Sequence, residues 1–120
     1  MPFITTRINV PLMKEQETRL ASGLGKAIEI VPGKTEASLL LGFEDNCHLY
    51  LRGDESQPMA YITVAVFGNP FHCGYEQLSQ AIAQLFHETL GIDHTRIFIK
   101  YEDIPSWSIG GRTFGRAEAA

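Results

Sequence analysis

Hydrophobic and polar positions change period several times along the chain, and each change marks an element. From Phe3 to Val10 they alternate, with Ile4, Thr6, Ile8 and Val10 on one face and Phe3, Thr5, Arg7 and Asn9 on the other. That period of two predicts a strand. Pro11, which has no N–H to give to a ladder, closes it. From Met13 to Val31 the apolar positions become Leu20, Leu24, Ala27, Ile28 and Val31, one stripe of a helix that Pro32-Gly33 stops. Ala37 to Phe43 carries an apolar run that predicts a strand buried on both faces. A short strand is expected around His48 to Leu51, then a polar turn from Arg52 to Gln57. Met59 to Phe67, rich in β-branched and aromatic residues, is the longest strand candidate. Gly68-Asn69-Pro70 turns the chain. Leu78, Ala81, Ile82, Leu85 and Phe86 repeat at helical spacing, with Gly91 where a helix C′ residue belongs. Arg96 to Tyr101 alternates again as a strand. The tail from Ile104 holds Trp107, Gly110-Gly111 and Phe114, and Arg116 to Ala120 are expected to fray.

The order strand, helix, strand, short strand, strand, helix, strand contains two similar halves. Pro2 and Pro58 each open a strand 56 residues apart, and Gly33 and Gly91 each follow a helix 58 residues apart. Such self-similarity predicts an α+β fold made of two βαβ repeats. Their four main strands form one mixed sheet, with both helices on one face. Because each helix has a single apolar stripe, the other sheet face needs a different cover, and an oligomer is the simplest.

Length sharpens this picture. The 120 residues are expected to form a single domain, residues 1–120. Apolar residues make 44%, enough to exclude intrinsic disorder. A chain this short has little interior for a deep pocket, so a catalytic site would be shallow or shared between subunits. With 14 Asp plus Glu against 10 Lys plus Arg and no basic stripe, nucleic acid is not expected as a partner. No apolar run is long enough to span a bilayer, and the first twenty residues contain no signal-peptide h-region. A cytoplasmic protein is expected, with secretion by a route lacking a signal peptide left open. Cys47 and Cys73, 26 residues apart, form no ligand pair, and His48, His72, His87 and His94 have no metal-like spacing. No metal and no cofactor are expected.

Most catalytic signatures are missing: no nucleophile elbow, P-loop or dinucleotide fingerprint occurs. His72-Cys73 reads as a turn before a helix, and Glu15, Glu17 and Glu29 as a solvated helix face. Arg52 and Asp54 read as loop solubility, and Gly110-Gly111 as turn geometry. Proline directly after the initiator Met stands apart. Removal of Met1 would expose Pro2 as a free secondary amine and leave 119 residues. A free α-amine titrates near pH ~8, and burial or a nearby cation disfavours its protonated form. Pro2 could then serve as a general base near neutral pH.

Four features occur together in register: Met-Pro-Phe-Ile at the start, Pro32-Gly33-Lys34 after the first helix, Gly53 to Pro58 before the long strand, and the tail from Ser106-Trp107 through Thr113-Phe114. In this the chain resembles the tautomerase superfamily, in its macrophage migration inhibitory factor and D-dopachrome tautomerase branch, from Pro2 to about Phe114. The resemblance implies a homotrimer whose sheets surround a central channel, with active sites at subunit boundaries. It implies keto–enol tautomerisation of a small aromatic α-keto acid such as phenylpyruvate, with Pro2 as the base. Lys34 would hold the substrate carboxylate and lower the proline pKa. The Phe67 backbone N–H would face the substrate, and Trp107 and Phe114 would lie near the pocket. Phe98 and Lys100 stand where the family often has Tyr and Asn, and Val66 where it often has Ser. Both Phe98 and Lys100 are expected to contact substrate. The Cys-x-x-Cys of the vertebrate cytokine is absent, the stretch reading Met59-Ala60-Tyr61-Ile62. The alternative implied is a cytokine-like interaction protein with vestigial activity and a protein receptor of unknown identity.

Overall fold

The computed structural model describes residues 1–115; Arg116–Ala120, expected to fray, lie outside the described residues. The elements are β1 (Pro2–Ile8), α1 (Lys14–Ala27), β2 (Leu40–Glu44), β3 (Ala60–Phe67), α2 (Tyr75–Leu90), β4 (Ile97–Ile104), β5 (Ser106–Ile109) and β6 (Arg112–Gly115). The first four strands in spatial order are β2-β1-β3-β4, with β1 parallel to β2, β3 parallel to β4, and β1 antiparallel to β3. The two βαβ halves thus meet along their first strands.

Both helices cover the same sheet face. Ile4, Ile8, Ile62 and Val64 point into one core with Leu20 and Leu24 of α1 and Leu78, Ile82 and Phe86 of α2, all fully buried. Each such side chain contributes on the order of 2 kcal/mol of burial free energy. The opposite face carries Phe3, Thr5, Arg7, Tyr61, Thr63, Ala65, Lys100 and Glu102, which line an open hollow of about 340 Å³.

Three expectations are corrected. The first helix does not run to Val31: it ends at Ala27 and tightens into a 3₁₀ turn over Ile28–Ile30. Pro32 explains this, since its ring clashes with the carbonyl four residues back and pushes Val31 to extended geometry (φ −77°, ψ 123°). The strand expected from Ala37 begins only at Leu40, after a 3₁₀ turn at Glu36–Ser38, and is not buried on both faces. It is an edge strand, and Leu40, paired with Phe3 on the open face, is 57% exposed. His48–Leu51 forms no strand; its one bridge is Leu51 to Asp54 across a tight turn.

The tail is a hairpin in which Trp107 pairs with Phe114 across β5 and β6. It forms a two-stranded sheet of its own, separate from the four-stranded one. No helix among the described residues is long and apolar enough to cross a membrane.

The β3–α2 connection is anchored where Gly74, at φ +82°, lies against the end of the first helical segment. A Cβ on it would meet the Ile30 carbonyl oxygen at 2.8 Å. Gly74→Ala should therefore destabilise the fold by about 1–3 kcal/mol. Denaturant unfolding of the variant beside the parent checks this.

Candidate active site at the amino terminus

The site begins with the turn Val31-Pro32-Gly33-Lys34. Proline at the second position, Gly33 at φ +76° at the third, and the Lys34 N–H donating to the Val31 carbonyl at 3.1 Å make it a type II turn. Only a residue free to adopt positive φ fits the third position, which is why Pro-Gly closes this helix. The turn returns the chain toward the sheet. The partly buried Lys34 then donates from Nζ to the Phe67 carbonyl at 2.7 Å. Gly68 leaves room for the ammonium: a Cβ there would stand 3.3 Å from Lys34 Nζ. Sequence reasoning gave Gly68 only a turn role; its position directly after the longest strand was the one available sign.

The amino terminus reaches the same place because β1 lies inside the sheet. Pro2 is buried and pairs with Val66 in the β1–β3 ladder. One residue further out, the Phe67 N–H donates to the Met1 carbonyl at 3.1 Å. Phe67 therefore uses both of its backbone groups here, its C=O on Lys34 and its N–H on Met1. The Met1 amine is lowered from its ordinary 8.0 to about 6. Burial is the largest cause, followed by Lys34, which donates to the neutral amine and repels its protonated form. Lys34, Phe67 and the amino terminus are thus assembled within one chain.

The other expected site residues are not. Phe98 is opposite Tyr61 in the β3–β4 register, five residues along β3 from Val66. That places it roughly 17 Å from the level of Pro2. There it is 44% exposed and lines an apolar cleft of about 260 Å³ with Leu49, Leu51, Met59 and Tyr61. Lys100 lies on the open face, paired to Glu102 at 3.2 Å and 5.7 Å from the Tyr61 ring centroid. The contacts to Tyr61 and Glu102 hold its ammonium above the ordinary lysine range. Trp107 and Phe114 face one another across the separate hairpin, which leaves β4 just beyond Ile104, the partner of Phe67.

His72-Cys73 lies in a turn before α2, as read, with Cys73 exposed. Its imidazole is occupied elsewhere, with Nε2 at 2.8 and 3.0 Å from the two carboxylate oxygens of Asp103. Among the described residues no cluster of three or more His, Cys, Asp or Glu could hold a metal ion.

The arrangement offers an amine biased toward its neutral form, a fixed ammonium, and a backbone N–H aimed at an oxygen. Together these can exchange a proton with a carbon acid while holding an anion. The family model described as macrophage migration inhibitory factor (MIF) matches residues 1–115. Among solved structures the chain is similar to MIF2 of Leishmania major, with a TM-score of 0.87 at 24% identity, over 95% of this chain and 97% of that one. It is also similar to the macrophage migration inhibitory factor of Toxoplasma gondii, with a TM-score of 0.84 at 24% identity, over 93% and 99% of the two chains. A homologue from Prochlorococcus marinus superposes with a TM-score of 0.79 at 26% identity, over 94% and 99%. No curated protein matches by sequence.

In protein that keeps Met1, the α-amine should titrate with a midpoint near pH 6 rather than 8.0. Lys34→Ala should move that midpoint up while leaving the burial contribution. The pH dependence of amine acylation, followed by mass spectrometry, reads both; a midpoint unmoved by Lys34→Ala would remove the lysine from the site.

Proposed function

The chain belongs to the macrophage migration inhibitory factor family, and from that premise we propose that, once Met1 is removed, it is a keto–enol tautomerase of small aromatic α-keto acids such as phenylpyruvate. The observation that carries this reading is the Phe67 N–H bond to the Met1 carbonyl, 3.1 Å long, beside Lys34. With Met1 gone, that carbonyl oxygen leaves and the Phe67 N–H is free to donate to a substrate oxygen in its place. The nitrogen of Pro2, until then an amide without a usable lone pair, becomes a secondary amine. It starts from a position more buried than Met1, one residue from the amine that Lys34 contacts. Both influences that lower the Met1 amine then act on Pro2.

In this mechanism the neutral Pro2 amine removes a proton from the carbon next to the keto group. The electron pair moves through the new carbon–carbon double bond onto the keto oxygen. The protonated Pro2 then returns that proton to the oxygen, which gives the enol and restores the neutral amine, and the reverse path regenerates the ketone. Lys34 has three N–H donors; one is spent on the Phe67 carbonyl, and the rest can bind the substrate carboxylate and offset charge on the enolate. The fold neighbour Pt0534, with a TM-score of 0.79 at 19% identity over 91% of this chain and 93% of that one, was solved inactivated by 2-oxo-3-pentynoate. That α-keto acid is a useful covalent probe for Pro2.

A homotrimer is part of the proposal. It rests on the open sheet face, on a hairpin that adds to no other sheet, and on a site whose expected residues are divided between two ends of one chain. Phe98 and Lys100 would enter a pocket at Pro2 only from a neighbouring copy. We propose a cytoplasmic location, with which the free Cys47 and Cys73 are consistent.

Pro2→Gly should lose most phenylpyruvate turnover, at least a hundredfold, while sedimentation still gives a species of three 13.4 kDa chains. Retained turnover would eliminate Pro2 as the base. Lys34→Ala should raise KM about tenfold or more, as expected for a lost charge-assisted bond to carboxylate. Intact mass decides the premise: a chain that keeps Met1 and is inactive supports an interaction protein instead.

A further inference from the structure

His72 carries a contact that the proposed mechanism does not use. It lies in the turn between β3 and α2 at φ +58°, a backbone region that few residues with side chains occupy. Three contacts of its own hold it there, and three more brace its neighbours. Its Nε2 donates to Asp103, reaching the two carboxylate oxygens at 2.8 and 3.0 Å. Its ring stacks on Tyr75, with centroids 5.1 Å apart, and Tyr75 stacks in turn on Tyr101 at 4.1 Å. The Tyr101 hydroxyl donates to the Tyr75 carbonyl at 3.1 Å, which ties the stack to the start of α2. The backbone His72 N–H donates to the Asn69 carbonyl at 3.1 Å, and Asn69 Nδ2 donates to the Cys73 carbonyl at 3.0 Å.

The place of this clamp in the sheet gives it a consequence. Asp103 is the β4 partner of Val66, and Val66 is the β3 partner of Pro2. The carboxylate therefore lies at the same level of the sheet as Pro2, two strands away, about 10 Å. The turn it grips starts at Gly68, directly after Phe67. Lys34 holds that segment from one side through the Phe67 carbonyl, and Asp103 holds it from the other through His72. Between these two anchors the Phe67 peptide groups have little freedom to turn.

We propose that His72 is a positioning residue: its bond to Asp103 fixes the 68–74 turn, and so the direction of the Phe67 N–H and the seat of Lys34. It touches no reacting atom. This deepens the tautomerase reading and rests on it for its kinetic consequence, but it also makes a prediction that needs no turnover.

Three variants test it. His72→Gly keeps the positive-φ backbone without strain and removes the imidazole. Asp103→Ala removes the acceptor without touching the turn. His72→Gln keeps an N–H donor at about the reach of Nε2. The first two should each raise KM for phenylpyruvate about tenfold and lower kcat less, and the double variant should be no worse than either single one. His72→Gln should recover most of the KM. In protein that keeps Met1, His72→Gly should also raise the midpoint of the α-amine from about 6 toward 8.0, because Lys34 loses its seat. Circular dichroism confirms that each variant is folded. Additive effects of the two changes, or a Gln variant as impaired as the Gly variant, would overturn the proposal. If the parent protein has no turnover, the tautomerase reading fails, and the amine midpoint alone still decides the role of His72: an unchanged midpoint rejects it.

Discussion

The placement of the first strand inside the sheet controls everything else in this molecule. Terminal segments commonly lie at an edge or fray, but β1 is flanked by β2 on one side and β3 on the other. Its alternate residues Ile4 and Ile8 are fully buried under the helices, which fixes its register. A strand so held delivers its first residues to a defined point, beside Val66 and Phe67. The desolvated surroundings there lower the amine, and Lys34 arrives by a turn whose shape Pro32 and Gly33 dictate. Shifting β1 by one residue would turn Ile4 and Ile8 to the open face and move the amine away from Phe67. The packing of the core and the geometry of the site are therefore one constraint.

Much of the fold was legible because its local and long-range signals agree. The alternation in β1, the apolar stripes of α1 and α2, and the Pro-Gly and Gly91 stops all matched elements to within a few residues. The failures have particular causes. Ala37 to Phe43 reads as a strand buried on both faces, yet Leu40 faces open space in a single chain. His48 to Leu51 has strand-like alternation but no neighbour to bond with. In both places the side chains have the pattern of a surface that expects cover, and a pattern does not reveal whether its own chain supplies it. The 3₁₀ turn at Ile28–Ile30 failed differently: the helical period continued, but Pro32 acted on the backbone four residues earlier.

The site was legible in its parts more than in its assembly. Pro2 and Lys34 drew attention by position and by family likeness. That the Phe67 carbonyl receives Lys34 follows from strand order, joining residues 33 apart in the chain. No periodicity encodes such a contact. The His72–Asp103 bond, between residues 31 apart, was hidden for the same reason: His72 read only as part of a turn before a helix. Phe98 and Lys100 show the limit from the other side. They were read as substrate contacts of a site at a subunit boundary, and within one chain Phe98 lies at the other end of β3 and Lys100 on the open face of the sheet.

That separation bears on how copies must associate if these residues serve one site. The amino-terminal end and the Phe98 cleft are different patches, roughly 17 Å apart along β3. A twofold contact is reciprocal, so it could bring Phe98 of each copy to Pro2 of the other only where both patches lie on one shared interface. A head-to-tail contact between the unlike patches would bring Phe98 of one copy to Pro2 of the next. Such contacts either propagate as a filament or close into a ring. A ring whose sheets converge on a common axis would also cover the open face, with its Phe3, Arg7, Lys100 and Glu102. Such a ring would complete every proposed site at once, whereas a filament would leave an unfinished site at each end.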